Sequence, residues 1–129
     1  MLQAGILNPD INSLLSRVRH TNVLIIADKG FPYWPEIETV DISLVADIPR
    51  VVQVLSAVRE NFKVGRAFMA AEFSSVNSSR ICEEFEQALN GLDVTLEPHL
   101  QLKKRASNAI GLIRTGDTTR FGNILIESA

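Results

Sequence analysis

Along the chain, apolar positions switch between two periods. Ile11, Leu14, Leu15 and Val18 recur at the spacing of one helix face, and residues 23–27 (VLIIA) then form an unbroken apolar run. The first pattern suits a helix lying on a core, the second a short strand covered on both faces. Asn8-Pro9-Asp10 stands ahead of the helical stretch. An asparagine N-cap, a proline in the first turn and an acid near the positive end of the dipole set the helix start, and the pattern carries it to about Arg19.

Beyond Asp28, the segment 29–39 contains Gly30, Pro32 and Pro35, which predicts a structured loop before a second strand at about 40–45. Pro49 is expected to open a second helix capped by Asp47 or Ile48, with Val51, Val52, Leu55 and Val58 facing inward. A third strand follows at about 65–71. Asn77 or Ser78 caps a helix ending near Asn90-Gly91, where glycine supplies a left-handed C-cap. Residues 92–96 read as a strand, Pro98-His99 as the start of a shorter helix, and 109–114 and 123–127 as two strands around the turn TGDTTRFG.

Strands alternating with helices predict an α/β domain: a three-layer α/β/α arrangement around a largely parallel, mixed six-stranded sheet. The two consecutive strands at the end imply an antiparallel pair or a mixed edge. No repeat, linker or low-complexity segment interrupts the 129 residues, which read as a single domain.

Composition narrows the partners. With 46% hydrophobic residues the chain can build its own core. A net charge of -2 and a pI near 5.7 provide no positive field for nucleic acid or an anionic membrane surface. Runs such as VLIIA fall far short of the roughly 20 residues of a membrane helix. Small neutral ligands or other proteins are the expected partners. Cys82 is the only cysteine, inside the helical stretch RICEEFEQAL, and reads as a buried thiol. MLQAGILNPD lacks the basic and long apolar regions of an export signal, so the expectation is a cytoplasmic protein.

In open α/β sheets ligands collect outside the carboxyl ends of strands, which singles out Asp28, Glu72 and the turn after Arg114. Asp28 reads equally as the acceptor of a turn at Lys29-Gly30. Glu72 reads as structural. His20 follows the first helix, where a capping role competes with a catalytic one, and His99 opens a helix, where a solvent-exposed ring is the alternative. Lys103 lies one turn after His99 on the same side, although Lys103-Lys104-Arg105 also fits a solvated face. Tyr33-Trp34 suits either stacking on a sugar or anchoring a subunit contact. The two histidines are far apart, and no HExxH, HxH, CxxC, GxGxxG or GxxxxGK[ST] pattern occurs, so neither a metal nor a nucleotide cofactor is expected.

Together, ILNPDINSLLSRVRHTNVLIIADKGFP, VDISLVADIPRVVQVLSAV, the AAE at 70–72 and IRTGDTTRFGN resemble, in order and spacing, the D-ribose pyranase and L-fucose mutarotase family along nearly the whole chain. The resemblance implies a cofactor-independent isomerase that interconverts cyclic forms of a free monosaccharide, assembled as a homodecamer of two pentamers. It implies His20 as the acid/base group and Asp28, His99, Lys103 and the tripeptide Phe121-Gly122-Asn123 as sugar-binding residues. Two positions depart from the family pattern. Phe121 stands where tyrosine is usual, forfeiting a hydroxyl worth about 0.5–1.5 kcal/mol if it made one ordinary hydrogen bond, and Lys29 replaces a small residue. A non-catalytic sugar-binding or regulatory oligomer is therefore the alternative.

Five strand residues at about 3.3 Å each hold the ends of VLIIA roughly 17 Å apart. A single sugar cannot bridge His20 and Asp28 of one chain. The sequence thus predicts a site shared between subunits.

Overall fold

Asn8 caps the first helix as expected: its Oδ1 accepts from the backbone N–H groups of Asp10 (2.9 Å) and Ile11 (3.0 Å). The computed structural model describes residues 1–129. Its elements are α1 (Pro9–Arg17), β1 (Val23–Ala27), β2 (Glu38–Asp41), α2 (Val51–Asn61), β3 (Val64–Ala70), α3 (Phe73–Val76), α4 (Ser79–Ala88), β4 (Asp93–Glu97), α5 (His99–Ala106), β5 (Gly111–Arg114) and β6 (Ile124–Ser128). Ser78 caps α4 by accepting from Ile81 N, and Gly91 after it has φ +83°.

All six strands form one sheet in the order β2-β5-β1-β6-β3-β4. β1, β2 and β5 run parallel to one another, as do β3 and β4, while β6 is antiparallel to both its neighbours, β1 and β3. The antiparallel strand is therefore central. β5 and β6, adjacent in sequence, do not pair, because β1 lies between them. That placement matters for the site: it brings the start of β6 beside the end of β1.

Each strand of the sheet interior contributes to two layers. Leu24 and Ile26 of β1 join a core of 17 buried residues with α1, α2, α3 and α4, whereas Ile25 and Ala27 join a core of 11 under α5 and the loop after β1. The second face is the thinner one, covered by one short helix and by Phe31 and Ile37 of that loop.

Three local differences from the sequence expectation have physical causes. β2 occupies 38–41 because its partner β5 has only four residues, registering Glu38 with Gly111 and Asp41 with Arg114. Past Ile42, whose N–H still reaches Arg114 O (2.9 Å), no ladder remains. α2 begins at Val51, since Pro49 belongs to a loop clamped on the turn after β5: Gly116 N donates to Pro49 O (2.9 Å) and Asp47 N to Gly116 O (2.6 Å). A Cβ on Gly116 would collide with the carbonyl oxygens of Val45 and Ile48, so only glycine allows this approach. Within α2, Val54 rather than Val52 completes the buried face.

The cap of α2 comes from far away in sequence. Val51 N donates to Oδ2 of the fully buried Asp117 (2.8 Å), whose Oδ1 accepts from Thr119 N (2.8 Å), and Arg50 N finds Gln53 Oε1 (2.8 Å). One carboxylate thereby ties the helix start to the turn between β5 and β6, satisfying an N–H that a helix cannot satisfy itself.

Candidate functional site

The carboxyl end of β1 with the loop after it, the start of α5 and the turn before β6 converge on a pocket of about 320 Å³. Asp28, His99, Lys103, Phe121 and Asn123 line it, five of the seven residues implied by the resemblance. A wider trough of about 610 Å³ lies between α2 and α4. It is an open groove along helix flanks, holding glutamates and glutamines but no histidine or strand end, and the convergent donors and acceptors that a binding site needs are at the smaller pocket.

Asp28 takes the turn role and also lines the pocket. Its Oδ1 accepts from Gly30 N (2.9 Å), closing the turn that leads into the loop, and the carboxylate lines the pocket. Its backbone N–H donates to Asn123 Oδ1 (2.7 Å), a bond made possible by the pairing of Ile26 with Ile124. Burial pushes the Asp28 carboxyl above the usual aspartate range, against the pull of hydrogen bonds from Gly30, Asn123 and Phe31.

A raised native pKa means that the folded chain holds the Asp28 proton more tightly than the unfolded one. Stability should then fall as pH rises from the unfolded value, about 3.9, through the native one. Asp28→Asn keeps the turn acceptor and removes the penalty. The variant is expected to melt no lower than wild type at pH 7, with its advantage shrinking at pH values below that window. Thermal unfolding of both proteins across pH checks this; a variant that melts lower at pH 7 than wild type contradicts it.

α5 is fixed at both ends. Glu72 accepts from His99 N with both carboxylate oxygens (3.1 and 3.0 Å), the structural role the sequence suggested for it. Arg105 is paired with Glu97 (2.8 and 3.0 Å) and stacked 3.8 Å from the Phe68 ring centre. His99 and Lys103 are carried on this anchored helix. The His99 ring meets Phe121 edge-on at 5.1 Å, and its Nδ1 is buried without a partner.

Phe121 has φ +54°, a left-handed conformation that a bulky residue adopts rarely and at a cost of order 1–3 kcal/mol. The turn that imposes it is held by Asn77 Nδ2, which donates to Arg120 O (2.8 Å), and by Asp117 through Thr119. Gly122 differs from its expected place. It does not line the pocket but packs between Thr119 and Phe85, where a Cβ would meet Thr119 O at 3.1 Å and Phe85 Cζ at 3.2 Å. Its contribution is the close approach that lets its neighbours face inward.

His20 lies outside the pocket, exposed, before the other end of β1. The capping role is taken by others: Arg17 Nε donates to Ser13 O (3.1 Å) and Arg19 Nη1 to Ser16 O (2.6 Å) and Val18 O (3.1 Å). His20 makes no hydrogen bond within the chain; beside it Thr21 has φ +66° and donates its N–H to Ser128 O (3.0 Å).

Sequence reasoning passed over Gly30, Phe31, Pro32 and Arg120, which also line the pocket. Phe31 and Pro32 are placed by Arg114, whose guanidinium donates to Phe31 O (2.6 Å) and Pro32 O (3.4 Å), and Gly30 by its bond to Asp28 Oδ1. Adjacency to Asp28 and Phe121 was the available signal.

The chain and its fold have counterparts among known proteins. The whole chain, residues 1–129, matches the model of the RbsD / FucU transport protein family. The chain belongs to this family. It is 34% identical to a D-ribose pyranase of Geobacillus kaustophilus over 99% of this chain and 93% of that protein. The structure of Bacillus subtilis RbsD complexed with D-ribose superposes with a TM-score of 0.92 at 26% identity, covering 100% of this chain and 98% of the other. The fucose mutarotase from Streptococcus pneumoniae, solved with L-fucose, shares the fold with a TM-score of 0.80 at 16% identity, over 95% and 92% of the two chains.

Proposed function

We propose that this chain is a cofactor-independent sugar mutarotase or pyranase, opening and reclosing the ring of a free monosaccharide by general acid/base catalysis. The observation that carries the reading is the convergence of Asp28, His99, Lys103, Phe121 and Asn123 on one pocket, in a fold that superposes on a ribose-bound relative. Ring opening removes the proton of the anomeric hydroxyl, breaks the bond from the anomeric carbon to the ring oxygen and delivers a proton to that oxygen. Reclosure reverses this with another hydroxyl or on the other carbonyl face. Asp28 accepts from sugar hydroxyls, the His99 ring and Lys103 contribute polar contacts, and Asn123, whose Oδ1 is occupied by Asp28 N and whose amide also bonds the Asp28 carboxyl, offers its remaining N–H. Phe121 presents an aromatic face to the apolar side of the ring.

The remaining acid/base group is His20 of a neighbouring subunit. His20 emerges before β1 and the pocket lies after it, at opposite edges of the sheet. A contact that joins these edges is head-to-tail, and head-to-tail contacts close into rings where the rotation between neighbours closes. Exposed apolar side chains support a covering neighbour at the pocket edge: Tyr33 in the loop after β1, Leu44, Val45 and Ile48 after β2, and Leu100 in the first turn of α5. A pentameric ring doubled to a decamer fits this geometry and the family, and a cytoplasmic setting fits the free thiol Cys82.

A positioned acid/base group contributes about 10²- to 10⁴-fold, roughly 3–5 kcal/mol of barrier. Saturation-transfer NMR on a panel of monosaccharides tests the reading: exchange between anomeric or ring-form signals should accelerate in proportion to added protein. Binding without acceleration would instead establish the non-catalytic oligomer, which the missing hydroxyl at Phe121 favours. Phe121→Tyr restores that hydroxyl and is expected to raise the exchange rate; an unchanged or lower rate would show that this chain does not use the group.

A further inference from the structure

The chain has nine arginines. Arg17, Arg50, Arg66, Arg80, Arg105 and Arg114 each reach a carboxylate. Arg19 and Arg59 donate to backbone carbonyls. Arg120 alone has no hydrogen-bond or ion-pair partner for its guanidinium, and it is the one arginine that lines the pocket. Its backbone is held in place, since its carbonyl accepts from Asn77 Nδ2 (2.8 Å) and the next residue is locked at φ +54°. Lys103, half-buried across the same pocket, has no partner either.

Asp28 is the only carboxylate in the lining and pairs with neither cation: its oxygen is turned to Gly30 N. Two cations thus face one carboxylate already in use. Arg120 is exposed, so a neutral sugar leaves the five donors of its guanidinium to water, whereas a planar carboxylate matches its fork with two parallel hydrogen bonds. At about 320 Å³ the pocket is at the small end of ligand sites, the scale of one sugar ring.

We infer that the preferred ligand is an anionic monosaccharide, a ring sugar bearing a carboxylate such as a hexuronate, with Arg120 and Lys103 holding the acid group and Asp28 the hydroxyls. This rests on the sugar-site reading above and names its substrate class.

The test is calorimetric binding of D-glucuronate and D-galacturonate against D-glucose and D-galactose, with a sugar phosphate as a separate arm. Charge-assisted bonds to one guanidinium should make the better uronate bind about ten- to a hundredfold tighter than its neutral counterpart, a ratio that falls with added salt. Arg120→Ala should collapse the ratio, and Arg120→Lys should retain part of it. A sugar phosphate preferred over both uronates would overturn the carboxylate assignment. So would uronates binding no tighter than the neutral hexoses, or an Arg120→Ala variant with the same ratio. A variant whose ratio is kept while its assembly dissociates would show that a neighbouring subunit's acid is the true partner. Binding is measured whether or not any sugar turns over, so loss of this preference and loss of the isomerase reading are separate results.

Discussion

Co-assembled in equal amounts, His20→Ala and Asp28→Ala subunits will recover about a quarter of the wild-type exchange rate, although each variant alone falls by about 10²-fold or more. The fraction follows from a site built by two chains. In a randomly mixed ring, a site is intact only where the histidine comes from an Asp28→Ala subunit and the carboxylate from a His20→Ala subunit, one arrangement in four. Were both residues to serve one chain's own pocket, every subunit would carry one defect and mixing would restore nothing. Unfolding and refolding the two variants together, followed by saturation-transfer NMR, measures it. Native mass confirms that the mixed oligomer has formed.

Asp117→Ala will lower stability by about 3 kcal/mol or more, the largest effect expected of a side chain outside the pocket. Its carboxylate is fully buried and accepts from Val51 N and Thr119 N, with Arg50 Nε at 3.9 Å. Truncation leaves the buried Val51 N–H and the partly buried Thr119 N–H unmet and uncaps α2. At this chain length the loss corresponds to a fall of about 10 °C or more in melting temperature. Because Thr119 leads into Phe121, the turn that shapes the pocket should loosen too, weakening sugar binding in the fraction that folds. Asp117→Asn keeps one acceptor oxygen and should lose less. Thermal unfolding of the three proteins decides the matter; an alanine variant within about 1 kcal/mol of wild type would show that water replaces the carboxylate.

Local signals in the sequence located most of the fold. Asn8-Pro9-Asp10, VLIIA and the glycine after α4 each announce a single conformation, and the structure has a helix start, a doubly covered strand and a left-handed residue there. Non-local features were not legible. Nothing near Val51 announces that Asp117 caps it, 66 positions away. The central position of β6 depends on which strands lie beside β1, and chain order suggested a terminal pair instead. The one-turn helix α3 is too short to show a period.

The candidate site divides in the same way. Asp28 was legible from its place at a strand end, but its bond to Asn123 spans 95 positions and needs the sheet order. His20 and Asp28 drew attention together because they flank VLIIA, and the same strand is what keeps them apart in one chain. Arg120 carried no motif of its own. Its isolation is visible only once every other arginine has found a partner.

The exchange rate per chain, followed by NMR through a dilution series that takes the assembly down to free protomers, bears most directly on the shared site. The account predicts that the rate per chain collapses as the oligomer dissociates and returns on reconcentration, while thermal unfolding shows the protomer still folded. A folded protomer that exchanges sugar forms as fast per chain as the assembly would contradict it.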